Sequence, residues 1–116
     1  MRRLIQSVLN DLGFAKVTGI ADGQTALSKL KAGKFDLLIT DWEMPGMSGI
    51  DLVRQVRADE RLSKLPILMI SSITDSGQIA EAAQAGVSSY VTVPFTTMNI
   101  KERLDKILAV NASNAA

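Results

Sequence analysis

Phe35-Asp36-Leu37-Leu38-Ile39-Thr40-Asp41-Trp42-Glu43-Met44-Pro45-Gly46 drives an almost uninterrupted apolar segment into a carboxylate and then breaks it. Runs of about four to eight apolar residues bounded by turn formers read as buried strands, and Pro45, Gly46 and Gly49 end any regular element that follows. The spacing therefore predicts a strand through Asp41, with the Asp41 carboxylate at its carboxyl end. In open α/β folds that edge of the sheet is where ligands bind.

Working outward, Pro66-Ile67-Leu68-Met69-Ile70-Ser71-Ser72 repeats the theme, an apolar strand delivering two hydroxyls to the same edge. Lys16 to Ala21 and Ser89 to Val93 read as two further short strands, the second ended by Pro94. Between them lie helical spacings. Leu4, Ile5, Val8, Leu9 and Leu12 recur on one face and stop at Gly13; Ala26, Leu27 and Leu30 stop near Gly33. Ser48 is a suitable N-cap for a helix carrying Ile50, Leu52, Val53 and Val56, with Asp51 at its third position. Ile79, Ala80, Ala83 and Ala85 precede Gly86, and Ile100, Leu104, Ile107 and Leu108 form a last helix. Strands alternating with helices predict an α/β domain with a parallel sheet covered on both faces.

Composition narrows the chemistry. The chain has 116 residues, 47% of them hydrophobic and 22% charged, which fits one globular domain over residues 1–110 followed by a polar, flexible tail at 111–116. Thirteen basic and twelve acidic residues leave a net charge of +1, so charge gives no indication of nucleic-acid binding. There is no cysteine and no histidine, which removes disulfides, thiolates and imidazole chemistry. What chemistry there is must run on carboxylates and hydroxyls. Met1-Arg2-Arg3 is not followed by the apolar run and small-residue site of a signal peptide, and no apolar stretch approaches the roughly 20 residues of a membrane span, so a cytoplasmic location is expected.

Leu12-Gly13-Phe14, Ala21-Asp22-Gly23, Asp41-Trp42-Glu43-Met44-Pro45, Arg57-Ala58-Asp59, Ala82-Ala83-Gln84-Ala85-Gly86 and Tyr90-Val91 followed by Pro94-Phe95-Thr96 together resemble the receiver domains of bacterial response regulators, most of all the single-domain chemotaxis type. The resemblance covers Met1 to about Val110. It implies a flavodoxin-like (CheY-like) doubly wound parallel sheet of order 2-1-3-4-5 with helices on both faces. It also implies a two-component phosphorelay role, in which a sensor histidine kinase transfers a phosphoryl group to an aspartate.

Matched position by position, Asp41 is the phosphoacceptor, and a carboxylate can serve as the nucleophile where charge on the phosphoryl group is stabilised. Asp41 and the backbone carbonyl of Glu43 would ligate Mg²⁺. Ser71 matches the switch hydroxyl and Tyr90 the aromatic switch. Ile79, Tyr90 and Arg103 fall on the family's partner-binding face, which in chemotaxis members docks the flagellar motor switch. On the residues alone, Asp41 could instead be a strand-end acid, Ser71 a polar strand end and Tyr90 a packed aromatic. Asp22, Asp36 and Asp51 read as turn, surface and cap residues, and Arg54, Arg57, Arg61 and Lys64 as a solvated basic face.

Two departures from the family pattern qualify the activity. The family's first strand, ending in the acidic pair that holds Mg²⁺, has no counterpart here, and Arg2 and Arg3 put positive charge at the positive end of an uncapped helix, so upstream residues are expected. Val93 stands where the family has a lysine that pairs with the phosphoryl oxygen. Without that cation and the full metal site, phosphorylation is expected to be impaired. The alternative is a phosphorylation-independent pseudo-receiver, a protein-interaction module. An aspartyl-phosphate phosphatase would place a second aspartate where Glu43 stands and use a lysine where Val93 stands, so no enzyme is expected. Loss of a central strand also predicts that the flanking strands close up on each other, or that the exposed edges pair in a homodimer.

Overall fold

The computed structural model describes residues 2–13, 17–20, 22–42, 46–72 and 75–115, the backbone alone at 2–4 and 108–115. Among them are α1 (Arg2–Asp11), α2 (Gly23–Ala32), β1 (Leu38–Thr40), α3 (Gly49–Ala58), β2 (Ile67–Ser71), α4 (Ser76–Ala85), β3 (Ser89–Thr92) and α5 (Thr97–Ala115). The three strands form one parallel sheet in the order β1-β2-β3, with Leu38 beside Ile67 and Leu68 beside Ser89.

Alternation along β2 builds the core. All five residues of β2 are buried, which is the signature of a central parallel strand covered on both faces. Ile67 and Met69 point to a cluster made with Leu27 and Leu30 of α2, Leu52, Val53 and Val56 of α3 and Ala82 of α4. Leu68 and Ile70 point the other way, to Val8 and Leu9 of α1, Val91, and Ile100, Leu104 and Ile107 of α5. The helices thus cover the two faces as three and two, the doubly wound arrangement.

Local chemistry starts and stops these helices. Asp22 caps α2 by accepting from the Thr25 N–H at 2.8 Å and the Thr25 hydroxyl at 3.0 Å. Ser48 caps α3 through the Asp51 N–H at 3.2 Å, and Asp75 caps α4 through the Gln78 N–H at 3.0 Å. At α5, Thr96 and Asn99 cap reciprocally: the Asn99 N–H donates to the Thr96 hydroxyl and the Thr96 N–H to the Asn99 side-chain oxygen, both at 3.0 Å. α4 ends at Gly86 in the left-handed region (φ 114°), where a side chain is disfavoured.

Two expectations are corrected. Residues 17–20 are not a strand; Lys16 and Ala21 lie outside the described residues. A strand exists only where its backbone finds a ladder, and the outer edge of β1 does not reach this segment, because an open slot of about 430 Å³ lies between them. The flanking segments therefore do not close up on each other. α5 runs as far as Ala115.

Candidate functional site

Parallel register brings the carboxyl ends of all three strands to one edge. Thr40 is level with Met69, and Ser71 with Thr92, so Asp41 and Val93, each one residue past its strand, flank Ser71 at the end of a central strand about 4.8 Å from either neighbour strand. The Val93 N–H donates to the Ser71 carbonyl at 3.0 Å, which carries the ladder one residue past β3.

Asp41 is half-buried. Its Oδ1 accepts from the Trp42 N–H at 2.6 Å, and its carbonyl accepts from the Thr40 hydroxyl at 3.0 Å. No Lys or Arg forms an ion pair with it among the described residues. Ser71 is 1% exposed at the last position of β2, at the same edge of the sheet as Asp41. Behind Asp41 the loop is held tightly. The Gly49 N–H donates to the Trp42 carbonyl at 2.7 Å, and a Cβ on Gly49 would run into the Asp41 carbonyl oxygen and lie 2.8 Å from the carbonyl carbon. The first residue of α3 is thus pressed against the backbone that carries the carboxylate, so the helix start fixes where Asp41 sits.

Val93 packs with Phe95 against the apolar cluster beneath α1 and α5 and gives the site no charge. Glu43 lies outside the described residues, and among those described no three acidic groups come together in a way that could hold a metal ion. Mg²⁺ demands six oxygens in near-octahedral array. Among the described residues Asp41, with one oxygen engaged by the Trp42 N–H, supplies only part of such a set.

Of the residues expected on the partner face, Ile79 in α4 and Tyr90 in β3 are half-buried, and Arg103 in α5 is exposed. Tyr90 packs against the cluster under α2, α3 and α4, so its ring lies at the boundary of core and surface. Arg57 departs from its reading as part of a solvated face. Its Nε donates to the Gly86 carbonyl at 2.9 Å and its Nη1 to the Ser63 carbonyl at 3.0 Å, tying the exit of α3 to the end of α4. Partial burial lowers its pKa from the ordinary arginine value, a direction that leaves it charged at neutral pH. The remainder of that cluster behaves as expected, with Arg54 meeting Glu81 at 2.9 Å in an exposed bridge between α3 and α4. What the sequence reading missed is the contact of Gly49 with the Asp41 backbone and the clamp that Arg57 makes. The only signal for Gly49 was a glycine directly after a cap, in a position where alanine would favour the helix.

No helix among the described residues is long and apolar enough to cross a membrane. Compared with known proteins, the chain is 56% identical over 107 residues to the chemotaxis protein CheY of Pseudomonas aeruginosa, covering 92% of this chain and 86% of that protein. It is 54% identical to CheY-3 of Vibrio cholerae, of which it covers 82%. Among solved structures, Vibrio cholerae CheY4 superposes with a TM-score of 0.84 at 30% identity, over 91% of this chain and 88% of that one. The receiver domain of a Pseudomonas aeruginosa sensor histidine kinase, solved with magnesium in its active-site cleft, superposes at 0.83 with 26% identity, over 92% and 87%. Residues 1–105 match the response regulator receiver domain as a family, and with a parallel sheet that carries Asp41 and Ser71 at its carboxyl edge, the chain belongs to that family.

Proposed function

We propose that this receiver takes a phosphoryl group on Asp41 only slowly, and that its signalling output is a change in the surface around α4, β3 and α5. The observation that carries the reading is the pairing at the sheet edge of a half-buried carboxylate with a buried hydroxyl, and with an apolar side chain on the third strand. In the transfer, an Asp41 carboxylate oxygen bonds to phosphorus as the bond from phosphorus to the donor breaks, and the donor leaves with the electron pair. The donor is the histidine of a sensor kinase, or acetyl phosphate in a test tube.

Charge builds on the three equatorial oxygens and is stabilised by whatever donors face them. Ser71 is the hydroxyl that would turn to the phosphoryl group, and Tyr90 the ring that would move into the space released, changing the face that holds Ile79 and Arg103. Val93 supplies no cation, and removing one well-placed electrostatic donor costs about a hundredfold or more in rate. The reading places the protein in the cytoplasm, receiving from a histidine kinase and acting on a protein partner. The motor switch is the leading candidate for that partner, given the chemotaxis relatives.

A second reading, a pseudo-receiver that binds its partner without phosphorylation, is favoured by the apolar Val93 packed at the position where the family has a lysine. Trp42 adjoins Asp41 and is the only tryptophan, so its fluorescence decides between the two. The receiver reading expects a small, slow quench with Mg²⁺ and beryllofluoride, abolished in Asp41→Asn and enlarged in Val93→Lys. A flat response from folded protein in both the parent and Val93→Lys would leave the pseudo-receiver standing.

A further inference from the structure

α4 is thinly attached to the rest of the molecule, and its attachments gather at one end. Ala82 is its only buried residue, whereas α3 buries Ile50, Leu52, Val53 and Val56 along its length. From Asp75 to Ala80 every residue is exposed except the half-buried Ile79. Ala85 and Val87, just beyond Ala82, pack against the cluster under α2 and α3.

Hydrogen bonds repeat the asymmetry. At the amino end they stay within the segment: the Gln78 N–H donates to the Asp75 carboxylate and the Ile79 N–H to the Asp75 carbonyl, both at 3.0 Å. A cap of this kind shapes a helix without fastening it to another element. At the carboxyl end the bonds cross to other elements. Arg57 of α3 holds the Gly86 carbonyl through its Nε and the Ser63 carbonyl through its Nη1. The Ser88 N–H donates to the Ile67 carbonyl of β2 at 2.8 Å, and the Ile67 N–H returns to the Ser88 hydroxyl at 3.0 Å. The Arg57 side chain also lies directly against Gly86, where a Cβ would stand 2.7 Å from its Cγ and 2.9 Å from its Nε. The exposed bridge from Arg54 to Glu81 adds a link to α3 between the two ends, of a kind that contributes little.

α4 crosses the sheet from one edge to the other. Three residues separate Ser71 from Asp75, so the helix starts at the edge that carries Asp41 and Ser71. It ends at the opposite edge, where Ser89 is level with Leu68 near the start of β2. The loosely held end therefore lies beside the site, and the fastened end lies far from it.

We propose that α4 is a lever about 15 Å long that opens from its amino end, hinged at Gly86 and pinned there by Arg57, which makes Arg57 a positioning residue for this helix. Segments with few buried contacts open locally at a lower free energy than the core. A change at Ser71 then reaches the amino half of α4, around Ile79, and stops at the pinned end. The hinge is a property of the unmodified chain; its use in signalling rests on the reading of α4 as part of the output surface.

The test is native-state amide hydrogen exchange on the full chain, followed by NMR. The Ile79 N–H and the Leu52 N–H make equivalent first bonds of α4 and α3, each to the carbonyl of its N-cap residue at 3.0 Å. Ile79 should exchange roughly tenfold or more faster than Leu52, and faster by a similar factor than Gly86, Val87 and Ser88. Equal protection of Ile79 and Leu52 would overturn the free amino end. In Arg57→Ala, the Gly86, Val87 and Ser88 rates should rise roughly tenfold or more relative to the buried Met69 N–H of β2 and close on that of Ile79, because a charged donor is lost. Arg57→Lys should give an intermediate ratio, and Arg54→Ala should leave it nearly unchanged. Rates that rise in step with Met69 would show a merely structural arginine and overturn the pin; the Ile79 comparison and Arg57→Lys decide the matter if Arg57→Ala fails to fold. Beryllofluoride with Mg²⁺ should alter the Ile79 rate and leave those of Gly86, Val87 and Ser88 as they were. A response spread equally over all four would overturn the hinge, whereas silence in all four beside an intact gradient would overturn the phosphorylation reading and uphold the hinge.

Discussion

Replacing Gly49 by alanine should destabilise the protein by about 2 kcal/mol, although alanine is the better helix former. The added Cβ would meet the Asp41 carbonyl oxygen well inside contact distance, the carbonyl carbon at 2.8 Å and the Trp42 Cα at 3.1 Å. All three are backbone atoms, so no side-chain rotation relieves the clash, and either the Asp41 loop or the start of α3 must retreat. Overpacking of this kind costs about 1 to 3 kcal/mol. The same retreat stretches the bond from the Gly49 N–H to the Trp42 carbonyl, now 2.7 Å, which is worth about 1 kcal/mol. The gain in helix propensity returns less than about 1 kcal/mol at a helix start. Urea unfolding followed by Trp42 fluorescence reads the difference as a midpoint lowered by roughly 1 M with an unchanged slope. Gly77→Ala is the control. There the nearest atom is the Asp75 Oδ2 at 3.1 Å, the capping oxygen of an exposed side chain that need give by only a few tenths of an ångström, and with the gain in helix propensity the change should stay within about 0.5 kcal/mol of neutral. Equal midpoints for the two variants would refute the claim that Gly49 is fixed by contact with the loop of Asp41. Because the clash falls on that loop, Gly49→Ala should also alter any beryllofluoride response before it unfolds the chain.

Arg57→Ala should cost about 2 kcal/mol by chemical denaturation, since it leaves the Gly86 and Ser63 carbonyls without their charged donor, and Arg57→Lys should recover only part of this because an ammonium cannot reach both. Asp22 is held below its ordinary value of 3.8 by the Thr25 N–H and hydroxyl, so its capping contribution is fully present above that pH and fades as the pH falls through the lower folded value. Asp22→Asn should keep most of the cap at pH 7 while flattening that acid dependence, measured as Tm against pH. Opposing carboxylates of the Arg54 bridge contribute little: an Arg54/Glu81 double-mutant cycle should give about 0.2 to 1 kcal/mol, reduced further by salt.

Periodicity and punctuation in the chain decided the alternation of strands and helices, the buried character of Ile67 to Ser71, and the arrival of Asp41 and Ser71 at one edge, because these depend on local hydrophobic pattern and on turn formers. The same text announced the cap at Ser48 and the absence of charge at Val93. Other features had no local signature. Residues 17–20 have the pattern of a strand yet are not one, since strand formation needs a partner edge that only the assembled sheet can provide or withhold. Arg57 looks like its exposed neighbours Arg54 and Arg61 along the chain, and becomes a clamp only because folding delivers the Gly86 and Ser63 carbonyls to its guanidinium. Gly49 reads as an indifferent helix start until α3 is packed against the Asp41 carbonyl. Hydrogen bonding and steric contact between residues distant in sequence are properties of the packed molecule, and so the contact of Gly49 with the Asp41 backbone and the clamp of Arg57 on the end of α4 were settled by the tertiary structure alone.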